Sequence, residues 1–205
     1  MQEILVGIPE ELENLQLPNP SMLQYYQDEQ ERVLWVEGEI NEDLYELSKL
    51  IMKYNKEDKG VPIEQRKPIK IFIHSSGGML DETLAFVALM GISKTPIWTI
   101  NAGWAFSAAG LILMAGHKRF ALPNTQCLIH SGSGGICAGT FEQTESQMKN
   151  YKELIDKMRS FILSKTTIDP KIFKKKQSME WYLDTDTMLS NNIIDKIVDD
   201  LDEIL

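Results

Sequence analysis

The sequence predicts an α/β fold built of repeated βα units, and three observations carry that expectation. From Arg32 onward, short runs of strand formers alternate with segments of helical period. Glycine-bearing turns separate these pieces. After Gly132-Ser133-Gly134-Gly135 the character changes, and one long amphipathic helix follows. Residues 1–31 read as a poorly structured lead-in, because Pro9, Pro18 and Pro20 break any long helix. Val33-Leu34-Trp35-Val36 is the first strand and Gly38 its turn. Asn41 can cap a helix whose Leu44, Leu47, Ile51 and Tyr54 share one face, and residues 55–68 make a polar loop. Ile69–His74 is a strand that ends in Ser75-Ser76-Gly77-Gly78, and Leu80–Met90 is a buried helix. A strand to Ile100, a helix from Ser107 to Ala115, and short strands at Arg119–Leu122 and Gln126–His130 continue the alternation. Such an order argues for a parallel sheet covered by helices. Thr140 and Gln143 form a capping-box pattern. Met148, Tyr151, Ile155, Met158 and Ile162 then recur at spacings of 3, 4, 3 and 4, a seam that needs a core or another subunit to cover it. Ile193–Val198 reads as the last strand.

Composition removes several function classes. Lys+Arg is 21 and Asp+Glu is 30, so the net charge is −9 over 205 residues. A chain this acidic lacks the footprint of a nucleic-acid binder and is repelled by anionic membranes. Its length suffices for a core without a disulfide or metal staple. Two cysteines, Cys127 and Cys137, suit a reducing compartment. No apolar run approaches the ~20 residues of a membrane span. The first twelve residues carry three Glu and no positive side chain, unlike a secretory signal. The expected location is the cytoplasm.

Few residues can carry chemistry. The three histidines, His74, His117 and His130, make no zinc pattern with either cysteine, and no P-loop motif is present. No metal and no cofactor are expected. Ser107, in Gly103-Trp104-Ala105-Phe106-Ser107-Ala108-Ala109-Gly110, stands between a strand and a helix. There, free backbone N–H groups can face a developing oxyanion. Read locally, it is equally an N-cap among small packing residues. His130 ends a strand before a glycine-rich loop, where catalytic groups of α/β sheets gather. Ser76-Gly77-Gly78 can present a backbone N–H, or serve as a plain turn.

The order of these pieces resembles the proteolytic subunit of the Clp protease family, within the crotonase-like superfamily. The resemblance covers about residues 31–200 and rests on four stretches. Ser75–Gly78 is similar to the family's S-P-G-G, and Gly103–Ala109 to its nucleophile stretch. Lys118–Asn124 (KRFALPN) matches without change, and Leu128-Ile129-His130 with Gly134-Gly135 corresponds to the base motif. The resemblance implies a crotonase-like fold with a protruding handle over 132–165, an axial lead-in over 1–31 and a peptidase domain over 32–205. It implies Ser107 as nucleophile, His130 as base, and the N–H groups of Gly78 and Ala108 as the oxyanion hole. The acid falls on Glu180, where the family has Asp; Asp184, on a helix-cap position, and Asp186 are the alternatives. It further implies two stacked heptameric rings, unfolded polypeptide or peptide as substrate, and a separate AAA+ ATPase as feeder. The departures are Ser76 for Pro, Ser131-Gly132-Ser133 after the base, and Asn191-Asn192 for Gly.

Three other readings stay open on sequence grounds. A Ser-Lys peptidase of the signal-peptide-peptidase type would use Ser146 with Lys149, or Lys118. A non-catalytic subunit would complete mixed rings. A crotonase-type acyl-CoA enzyme would not need Ser107. Lys174-Lys175-Lys176 reads as a solvated face.

Overall fold

The computed structural model describes residues 20–134 and 138–205. What the sequence suggests for residues 1–19, Gly135 and Cys137 lies outside them. The chain divides into two compact units, residues 1–31 and 32–205. In the first, helix α1 spans Pro20–Glu31, which corrects the expectation of an unstructured lead-in for those residues. Pro20 opens the first turn, where a missing N–H costs nothing and a fixed φ suits a helix. No Pro or Gly follows it before Gly38.

The second unit alternates as expected. Its elements are β1 (Val33–Ile40), α2 (Leu44–Glu57), β2 (Ile69–Gly78), α3 (Leu80–Ile92), β3 (Ile97–Phe106), α4 (Ala108–Ala115), β4 (Lys118–Ala121) and β5 (Gln126–Ile129). Then follow α5 (Phe141–Lys165), α6 (Pro170–Lys176), β6 (Trp181–Leu183), α7 (Thr185–Ser190) and β7 (Lys196–Ile197). Strands β1-β2-β3-β4-β7 lie side by side, all parallel. Strand β3 changes partner along its length. Trp98–Asn101 pair with β4, whereas Trp104–Phe106 pair with Gln126–Leu128 of β5. Strand β6 then extends the β5 branch, antiparallel to β5.

Helix α4 is the centre of the core, with all eight of its residues buried. The seam on α5 divides: Ile155, Met158 and Ile162 are buried, but Met148 is 50% exposed. None of residues 141–150 is buried. The capping box is formed, with Thr140 and Gln143 each accepting the other's backbone N–H.

The last strand is shorter than Ile193–Val198. Asn192 takes φ +55, and the N–H groups of Asn192 and Ile193 bond back to Leu189 O and Met188 O. That is a Schellman closure of α7 with Asn where Gly is usual, and it draws Ile193 and Ile194 into the cap. The KRFALPN stretch supplies the hub beside it. Buried Arg119 donates to Asp195, to Asn192 O at 2.7 Å and to Lys165 O at 3.0 Å, joining β4 to α5 and to the turn before β7. Among the described residues no helix is long and apolar enough to cross a membrane.

Candidate active site

Ser107 occupies the N-cap position of α4, yet its side chain makes no capping bond. Its backbone sits at φ 54, ψ −122, a region that crowds any Cβ and costs on the order of 1–3 kcal/mol. The residue is fixed there by neighbours. Its N–H donates to Leu128 O at 2.9 Å, and its carbonyl accepts Gly110 N–H at 3.0 Å. The turn throws the hydroxyl outward, and Oγ lies 2.6 Å from His130 Nε2. With the ring proton on Nδ1, the hydroxyl donates to Nε2, the arrangement in which imidazole can take a serine proton.

His130 follows the last residue of β5. The chain beyond it is anchored, because Ser131 N–H and Ser131 Oγ both donate to Gln177 O at 2.7 Å. Ser131 thus ties His130 to the end of α6.

The end of β2 meets Ser107 directly. Gly77 has φ +89, and a Cβ there would stand 2.5 Å from Phe106 O and 2.8 Å from Ser107 Cβ. At Gly78 a Cβ would stand 2.1 Å from Ile40 O. Only glycine permits either approach. Ser75 holds the turn, donating to Gly38 O at 2.6 Å and accepting Gly77 N–H at 3.1 Å. That hydrogen bonding supplies the rigidity that Pro would give at Ser76. Ala108 is the first residue of α4, so its N–H has no partner within the helix. Gly78 and Ala108 both line the cleft beside Ser107.

Glu180 is brought near but not engaged. Strands β5 and β6 pair Leu128 with Tyr182 and Ile129 with Trp181. The paired register ends there; His130 and Glu180 flank that end of the ladder, and both line the same cleft. The Glu180 carboxylate accepts the Tyr182 hydroxyl at 2.8 Å. That bond raises the Tyr182 phenol above its ordinary pKa. Among the described residues none hydrogen-bonds His130 Nδ1. Asp184 caps α7 by accepting Thr187 N–H at 2.8 Å, and hydrogen bonding from Thr187 lowers its pKa. Asp186 lies in the exposed first turn of α7.

These groups line a cleft of about 840 Å³. Its apolar wall comes from Leu128 and from Tyr151, Leu154, Ile155 and Met158 of α5. Reading the sequence misses the close packing of Gly77 on Ser107, and Ser75 and Tyr182 as partners. The Ser-x-Gly spacing and the period of two from Glu180 to Tyr182 are the signals that could reveal them. Ser146 and Lys149 lie exposed on α5, outside the cleft lining. Lys118 pairs with Trp98, nine residues before Ser107, about 30 Å away along an extended strand. His74 stacks on Trp104 with ring centroids 3.9 Å apart, and His117 accepts Ile97 N–H. Among the described residues no group of His, Cys, Asp and Glu is placed to hold a metal ion.

Residues 22–200 match the Clp protease family. The chain is 31% identical over 170 residues to an ATP-dependent Clp protease proteolytic subunit 2 of Treponema denticola, covering 81% of each chain. It is 30% identical over 133 residues to the corresponding subunit of Deinococcus radiodurans, 64% of this chain and 65% of that one. It is 32% identical over 138 residues to the chloroplastic subunit 4 of Arabidopsis thaliana, 66% of this chain and 47% of that one. A matched stretch running almost from α1 to the last strand, and a serine–histidine pair on a strained turn within it, make this chain a member of the Clp protease family and a serine peptidase.

Proposed function

We propose that Ser107, His130 and Glu180 form the catalytic triad, and that the chain cuts unfolded polypeptides or peptides inside an oligomeric chamber. The observation that carries the reading is the 2.6 Å approach of Ser107 Oγ to His130 Nε2 from a backbone conformation that serves no capping purpose. Ser107 Oγ attacks the peptide carbonyl while its proton passes to His130 Nε2. The oxyanion is met by the N–H groups of Gly78 and Ala108, each worth about 10²–10³ in rate. His130 returns the proton to the leaving amine, and the C–N bond breaks to an acyl-enzyme. Water, activated by His130, hydrolyses that ester. Glu180 orients His130 and stabilises the imidazolium, with their places at one end of the β5–β6 ladder as its support.

Residues 32–205 act as the peptidase domain, with 132–165 as its handle and 1–31 as an axial segment. The exposed Phe141 and Met148 on α5 support a role for that helix in joining two heptameric rings. A feeder in the form of a separate AAA+ ATPase follows from the relatives' description as ATP-dependent. The setting is cytoplasmic. The test is labelling by a fluorescent fluorophosphonate, with native mass measured on the same sample. Labelling of a ring-sized particle that Ser107→Ala abolishes supports the reading. An intact ring that never labels makes the chain a structural subunit instead.

A further inference from the structure

The hydroxyl on Tyr182 has no part in the mechanism above, yet it holds the carboxylate that the mechanism needs. We propose that Tyr182 is a positioning residue that keeps Glu180 off His130, so that the triad closes only when Glu180 changes rotamer. This rests on the reading of Glu180 as the triad acid. Four observations converge on it.

Glu180 shares the cleft with Tyr182, two residues along its own chain, and with His130, which flanks the same end of the β5–β6 ladder. The structure shows the carboxylate on the first, with Tyr182 Oη donating to Glu180 Oε2 at 2.8 Å. The second, His130 Nδ1, is left without a hydrogen-bond partner among the described residues. The Tyr182 ring is itself placed by an edge-on contact with Phe106, the residue before the nucleophile, at 5.7 Å between centroids. Its hydroxyl is therefore presented at a fixed point rather than swept through solvent.

No cationic side chain among the described lining residues competes for the carboxylate. Besides Ser107's partner His130, the ionisable residues facing the space are Glu39 from β1, Asp81 from α3, Tyr151 from α5, Glu180 and Tyr182. Among the described lining residues there is no Lys or Arg. Glu180 therefore chooses between a phenol and an imidazole. At rest the carboxylate is on the phenol. Once His130 has taken the serine proton it is a cation, and a charged donor outcompetes a neutral one for a carboxylate. The hydroxyl thus withholds the acid at rest and releases it as charge develops. The enzyme loses rate in proportion to the fraction of resting molecules with the acid elsewhere.

The test is the second-order rate of Ser107 labelling by a fluorophosphonate, measured across pH on the assembled protein. Tyr182→Phe keeps the contact with Phe106 and removes only the hydroxyl. It is expected to label about 2- to 10-fold faster, the range set by one hydrogen bond of ordinary net strength. The acidic limb of its pH profile is expected to move to higher pH, because a carboxylate resting beside imidazole favours the protonated ring. In a Glu180→Gln background the same change is expected to do nothing. If Glu180→Gln slows labelling but Tyr182→Phe neither speeds it nor moves the limb, the latch is wrong and the triad stands. If Glu180→Gln labels at the wild-type rate, Glu180 is not the acid, and the latch falls with it.

Discussion

Ser107 and Glu180, the proposed nucleophile and acid, line one cleft, but they are held in opposite ways. Ser107 stands between two interior elements, Ala105 of β3 and the wholly buried α4. Backbone bonds to Leu128 and Gly110, and the contact of Gly77, fix it from three sides. Glu180 lies just outside a three-residue strand, is exposed, and is held by one side-chain bond. A nucleophile must stay within about 1 Å of its attack geometry or lose ~10² in rate. An acid that works through the base tolerates more. The strained, over-determined backbone is placed where the tolerance is smallest.

Breaking the rigid side is expected to give the largest effect. Ser107→Ala and His130→Ala should each lower peptidase turnover by about 10⁶-fold, measured on particles shown by native mass to be intact. Gly77→Ala comes next. Its Cβ has no room and its φ no allowance, so a loss of about 2–4 kcal/mol in stability is expected from chemical denaturation, with labelling of Ser107 lost first. On the loose side, Glu180→Gln is expected to cost about 10- to 100-fold in kcat. That is well short of the ~10⁴ seen when a permanently engaged acid is neutralised. A loss as large as the Ser107 variant's would erase the contrast between the two sides.

Two smaller changes separate fold from site. Asp58 is gripped by Arg32 at 2.8 and 2.9 Å and by Thr95 Oγ1 at 2.7 Å. The Arg32 hydrogen bond, foremost, holds its carboxyl below the usual range. A lowered folded pKa means that this stabilisation is complete above about pH 4 and fades as pH falls through the folded value. Asp58→Asn should flatten that acid loss in a denaturation series while leaving the site's pH profile alone. The smallest effect is expected for Thr140→Ala. It removes one cap from the exposed start of α5 for about 1 kcal/mol, seen as local fraying in hydrogen exchange with peptidase activity retained.

Much of this arrangement was legible in the residues. The runs at Ile69–Ile73 and Ile97–Ile100 are mostly apolar, interrupted by Lys70 and Thr99, so the strands and their order could be read from them, although β2 and β3 run on through the glycines that follow. Ser107 was ambiguous locally, since a cap and a nucleophile share the same position. Only the absence of the capping bond and the proximity of His130, from a different strand, separate the two readings. Strand β6 was too short for a period-two signal, and its three residues have meaning only against β5. Helices α1 and α6 had readable signals in Pro20 and in Asp169-Pro170, where Asp169 does cap the helix. The partner of Glu180 is a matter of one side-chain rotamer, which no pattern of residues encodes.

The fork in β3 has a consequence for timing. Base and proposed acid ride on β5 and β6, joined to the rest of the sheet through three backbone pairs, Trp104–Phe106 against Gln126–Leu128. The proposed nucleophile, Ser107, follows Phe106 at the forked end of the same strand but is seated on the wholly buried α4. A ladder that short opens far more often than the interior it is sewn to. Amide exchange along β5 and β6 should therefore run as a clock for the catalytic assembly. Its protection would deepen when an acylating inhibitor clamps Ser107, while the amides of β2 keep the slow pace of the whole domain.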